Sequence, residues 1–105
     1  MAQHAVLVTL PFHGTDLGPV FELEDRLIEA IEGAGAGEFD GNEVGGDECV
    51  LFMYGPDADA LYAAVEPVLR ASPMCSSARV SLRYGPADDS EAREVTFTLD
   101  PRAQG

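Results

Sequence analysis

Residues 37–54 read GEFDGNEVGGDECVLFMY, a polar segment and a wholly apolar one with a glycine pair between them. Two such runs make an antiparallel hairpin, because consecutive glycines supply the positive φ that a tight primed turn needs. Asp40-Gly41 would also suit a turn of this kind, but Gly45-Gly46 is the expected turn. The polar strand EFDGNEV then belongs at a sheet edge. Cys49 to Tyr54, apolar at every position, belongs in the interior of the sheet.

The flanks supply the rest of the architecture. His4 to Leu10 (HAVLVTL) is a short aliphatic, β-branched run ended by Pro11, and reads as a strand from the middle of a sheet. After the loop Phe12 to Gly18, Pro19 fits the first position of a helix. That helix is expected to run to Glu32 and to stop at Gly33 and Gly35. Val20, Leu23, Leu27 and Ile31 form its apolar stripe, opposite Glu22, Asp25, Arg26, Glu29 and Glu32. Gly55-Pro56-Asp57 opens a second helix, with Asp57 and Asp59 placed to meet its free N–H groups. Leu61, Val65, Val68 and Leu69 give it a core face, with Pro67 about opposite, and it should end near Ala71.

The remainder alternates in polarity. Val80, Leu82 and Tyr84 interleave with Arg79, Ser81 and Arg83; Val95, Phe97 and Leu99 interleave with Glu94, Thr96 and Thr98. These are two half-buried strands joined by the polar loop Gly85 to Ala92, with the apolar set turned toward the helices. The order strand, helix, strand, strand, helix, strand, strand resembles that of ferredoxin-like domains over nearly the whole chain. The resemblance implies an α+β sandwich, βαββαβ with an added C-terminal strand and both helices on one face of an antiparallel sheet. It lies in element order alone, and that fold hosts enzymes, regulators, binders and inhibitors alike.

A chain of 105 residues, 46% apolar and 24% charged, suits one domain over 1–99, with a loose tail at 100–105. The formal net charge is −13, from 19 acidic residues against six arginines and no lysine. Phosphate backbones would be repelled, so nucleic acid is not expected as a partner. The first apolar run is too short for a secretory signal or a membrane span, which points to a cytoplasmic protein with no membrane contact. Cys49 and Cys75 form no CxxC pair and read as small, half-buried hydrophobes.

If the topology holds, one end of the sheet gathers the loop Phe12 to Asp16, the hairpin tip Asp40 to Glu48 and the loop Ser72 to Ser77. His13, Asp16, Asp40, Glu43, Asp47, Glu48 and Cys75 would share that end. Glu24 falls within the apolar arc of the first helix; it is a general acid or base beside His13, a carboxylate ligand, or simply a solvated carboxylate. Asp40, Asn42 and Gly45 stand at the first, third and sixth places of an EF-hand loop, but Val44 and Leu51 occupy the fifth and twelfth, so this is no EF-hand, and the readings left for the tip are a solvated acidic turn and a weak, irregular cation site. His4 and His13 lie at opposite ends of one strand and share no metal; no metal and no cofactor is expected. Cys75 is rejected as a nucleophile, because an acidic surrounding disfavours the thiolate.

Arg79 and Arg83 project from the face away from the helices, beside Glu94, Thr96 and Thr98. Leu7 and one alternate set of the third strand, Leu51/Met53 or Val50/Phe52, must share that open face. An apolar centre with an Arg/Thr rim has the anatomy of an interface. The first functional reading is therefore a small acidic, non-catalytic binding or regulatory domain that acts through protein contacts or as a homodimer. Its binding residues would be Asp40, Glu43, Asp47, Glu48, Arg79 and Arg83. The alternatives are an immunity-type acidic inhibitor of a basic protein, and a small enzyme using His13 and Glu24.

Overall fold

One strand organises the sheet. In the computed structural model, which describes residues 3–14, 16–86 and 90–99, β1 (His4–Pro11) is hydrogen-bonded on both edges. It runs antiparallel to β3 (Glu48–Gly55) on one side and to β4 (Arg79–Arg83) on the other. β2 (Glu38–Gly45) closes the far edge of β3, and β5 (Glu94–Thr98) the far edge of β4, giving the order β2-β3-β1-β4-β5. Helices α1 (Gly18–Ala34) and α2 (Ala58–Ala71) pack on one face. This is the ferredoxin-like arrangement with a fifth strand added at the edge of β4. The tail 100–105 and part of the polar loop, 87–89, lie outside the described residues.

The core forms between the helices and the inward half of each strand. Val6, Val8 and Leu10 of β1, Cys49, Leu51 and Met53 of β3, and Val80 and Leu82 of β4 meet Val20, Leu23, Leu27 and Ile31 of α1 and Leu61, Val65 and Leu69 of α2. Of the two sets open to β3, it is therefore Val50, Phe52 and Tyr54 that take the other face. Val95, Phe97 and Leu99 face inward as expected, Leu99 fully buried and the other two half-buried at the edge. Val68 is half-buried beside the core face of α2, which Ala58 completes. Both cysteines are fully buried and free, not half-buried.

Local differences have local causes. α1 continues through Gly33 to Ala34, since a single exposed glycine costs a helix only about 1 kcal/mol. It ends at Gly35 (φ 60°), where the N–H groups of Gly35 and Ala36 bond the Glu32 and Ile31 carbonyls. The hairpin turn is Gly46-Asp47 rather than Gly45-Gly46, with φ of 58° and 66° and Gly45 paired to Glu48. Asp tolerates the left-handed region better than most residues, so the turn can settle one position later. Asp40 stands at a bulge in the middle of β2, where the register shifts between Phe39 and Gly41, and not at the tip.

Where the chain enters β2 it crosses the end of β3 at close range. A Cβ on Gly37 (φ 149°) would run into the Tyr54 carbonyl, and one on Gly55 into the Ala36 carbonyl. Neither obstacle is a flexible side chain, so the backbone would have to part. Gly55→Ala should therefore cost about 2–3 kcal/mol of stability, well beyond an ordinary glycine replacement. Chemical denaturation of the variant against the parent measures this, with Gly45→Ala, where a Cβ meets open space, as the comparison.

Candidate interaction surface

The face opposite the helices is a grid, because antiparallel register lines up same-face residues across all five strands. One row reads Glu43, Val50, Thr9, Arg79, Thr98 from β2 to β5. The next reads Gly41, Phe52, Leu7, Ser81, Thr96, and the third Glu38, Tyr54, Ala5, Arg83, Glu94. Leu7, Val50, Phe52 and Tyr54 are half-buried, while Glu38, Glu43 and Arg79 are exposed. An apolar centre thus lies between an acidic strand, β2, and a basic strand, β4. The Ser81 and Thr96 hydroxyls bond one another at 3.0 Å, and the Arg83 Nε donates to the Pro86 carbonyl at 3.3 Å.

The bulge at Asp40 creates the acidic edge. In an unbroken strand Phe39, Gly41 and Glu43 would share one side; the extra residue leaves Phe39 packed under the helices and turns Glu43 to the open face. It also turns Asn42 toward α1, where its amide donates to the Glu24 carboxylate. Glu24 is half-buried there, neither an orphaned core acid nor a fully solvated one.

The residues expected at one end of the sheet are brought together in part. The Phe12 N–H bonds the Asp47 carbonyl at 2.9 Å, and exposed His13 lies 3.6 Å from the Asp47 carboxylate. A shallow cleft of about 320 Å³ lies between the tip, at Gly46 to Glu48, and Ser77 and Arg79. Asp40 sits part-way down β2, away from this end. Glu48 and Glu43 lie on the open face with Arg79 and Arg83, so two groups that looked like separate surfaces in the sequence form one.

The contacts of His13 and Glu24 lead elsewhere: His13 to Asp47, Glu24 to Asn42. Burial holds both thiols protonated, pushing Cys75 up to about 11 and raising Cys49, with the Glu24 carboxylate adding to the effect on Cys49. The cause is chiefly burial rather than the acidic surroundings. No grouping of three His, Cys, Asp or Glu suited to a metal occurs among the described residues.

At the opposite end of the sheet lies a cluster that sequence reading did not assemble. Half-buried His4 accepts the Ala58 N–H at 3.0 Å through Nδ1, an orphan donor of the first turn of α2 that a protonated ring could not take. Its ring meets Tyr84 edge-on at 5.7 Å, and the Arg93 guanidinium lies 5.6 Å from the Tyr84 centroid. Asp57 caps α2 by accepting from the Asp59 and Ala60 N–H groups, while the Asp59 carboxylate accepts the Tyr84 O–H at 2.6 Å. No spacing rule joins His4 on β1, Asp59 on α2 and Tyr84 just past the end of β4. Their contacts fix β1, α2 and the end of β4 to one another.

The Asp59 hydrogen bond raises the Tyr84 pKa, with desolvation adding to it. The protonated phenol is the form the fold favours, so its stabilisation is whole below about pH 10 and declines as pH climbs through the raised value. Ultraviolet titration should find Tyr84 ionising above a free tyrosine, and Asp59→Asn should move it back down.

Set against protein-family models, curated proteins and solved structures, the chain matches none of them.

Proposed function

We propose that this chain is a non-catalytic binding or regulatory domain that works through protein–protein contacts on its open sheet face. The observation that carries the reading is the make-up of that face: four half-buried apolar side chains, Leu7, Val50, Phe52 and Tyr54, between a line of glutamates and a line of arginines. A sheet face meant only for water alternates to polar residues on every strand, as β5 does with Glu94, Thr96 and Thr98. β1 and β3 break that rule side by side, and an aromatic pair at the centre of a charged rim is where binding energy concentrates.

The second reading, an acidic inhibitor of a basic protein, draws on the hairpin tip. Asp47 is 80% exposed there, beside Glu48, on a chain of net charge −13. Charge of this kind speeds association more than it tightens the complex, so the two readings differ in salt dependence.

Replacing Phe52 by Glu puts a carboxylate in the centre of the open face without touching the helix-side core. Its circular dichroism should match the parent while association with the protein's binding partner, itself included, falls by a factor of about 100 or more, the loss typical of a central anchor. Association that survives Phe52→Glu but disappears in high salt and on Asp47→Asn would overturn the open-face reading in favour of the tip.

A further inference from the structure

We infer that the occupant of the open face is a second copy of this chain, packed face to face about a two-fold axis that runs parallel to the strands, midway between β1 and β3. The inference rests on the open-face reading and adds the partner and its register. It follows from where the charges fall on the grid.

Two faces can meet through a two-fold axis only if that axis lies in the plane between them. An axis perpendicular to the strands lays each strand on its own copy. That sets the β4 arginines on the β4 arginines of the other molecule, and the β2 glutamates on its β2 glutamates. An axis parallel to the strands reverses the strand order instead, and its position then fixes which strands meet. Placed over β1, it brings β2 onto β5, so that Glu38 meets Glu94. Placed over β3, it brings β2 onto β1 and leaves Arg79 facing nothing.

Midway between β1 and β3 the pattern closes. β2 then lies over β4 and β3 over β1, so Glu43 meets Arg79 and Glu38 meets Arg83. By the same operation Phe52 meets Leu7, Val50 meets Thr9, and Tyr54 meets Ala5. Every pair occurs twice, as an isologous contact requires, and the apolar centre is enclosed between two lines of opposite charge on each side. Within one molecule Glu43 and Arg79 stand three strands apart, about 14 Å, too far to pair with each other. Neither takes part in an ion pair among the described residues.

Four strands by three rows give a contact of about 20 by 20 Å, or about 400 Å² on each partner, below what a tight dimer buries, so a weak, reversible dimer that forms at concentrations on the order of tens of micromolar is expected. The crossing of aligned sheets that follows from strand twist offsets the outer rows by about 3–4 Å, a displacement that the long Glu and Arg side chains span. The assembly is a four-layer sandwich, helices outermost.

Charge reversal tests the register. Arg79→Glu and Glu43→Arg each alter one exposed side chain, and each should weaken self-association about tenfold or more by setting two like-charged pairs across the interface. Mixed in equal amounts, the two variants should form a heterodimer close to the parent in affinity, because each now carries the charge the other needs. The Arg79→Glu/Glu43→Arg double variant should dimerise alone. Sedimentation velocity over a concentration series reads all four. A parent that stays monomeric at high micromolar concentration overturns the inference, as does a parent dimer indifferent to both single reversals, or a mixture that fails to recover. If the parent is monomeric yet a different protein is bound and then lost on Phe52→Glu, the second-copy inference falls and the open-face reading stands. If Phe52→Glu changes no association at all, both fall.

Discussion

Hydrogen bonding of β1 on both of its edges is the constraint from which the other features follow. A strand paired to β3 and β4 at once has no edge to offer water, and its neighbours inherit fixed registers: Leu7 opposite Phe52 on one side and Ser81 on the other. Helices α1 and α2 cover only one of the two faces so defined. Val6, Val8 and Leu10 are thereby buried outright, and Ala5, Leu7 and Thr9 form the middle column of the other face. Burying the inward half of each strand also fixes the outward half, since a one-residue slip would exchange the two.

The irregular points of the backbone serve that arrangement. Gly37 and Gly55 allow the chain to pass close enough to β3 for β2 to pair along it. The turn at Gly46-Asp47 sets the far end of that pairing. Between them the bulge at Asp40 changes the facing of half of β2, so one strand serves the core with Phe39 and the open face with Glu43. A chain with 19 acidic residues and six basic ones places acid almost everywhere, and what distinguishes the open face is that two of its arginines stand on one strand there, opposite the acids.

The His4, Tyr84 and Asp59 contacts and the Glu24–Asn42 pair each link one element to another through a polar side chain that the apolar pattern does not account for. Each satisfies a group that would otherwise lose hydrogen bonds on folding: a free helix N–H in one case, a half-buried carboxylate in the other. Candidates that looked chemical in the sequence, His13 and Glu24, are engaged singly with different neighbours. The face, by contrast, uses residues that each look ordinary and acquires its character only from their juxtaposition.

The element order, the α+β class with its added strand, the apolar stripe of α1, the Asp57 cap and the outward facing of Arg79 and Arg83 are all legible in the chain before it folds. These rest on local periodicity and local hydrogen bonding, which a few residues settle among themselves. Which half of Cys49 to Tyr54 faces the helices, where the turn falls, and that Glu43 shares a face with Arg79 emerge only from packing and cross-strand pairing. A segment apolar at every position carries no alternation to read, so packing against α1 and α2 had to choose. Asp40-Gly41 has the composition of a turn, and only pairing with β3 made it a bulge instead. Residues 36 apart in the chain can become rows of one surface only through the cross-strand register, and register is a property of the whole sheet rather than of any one strand.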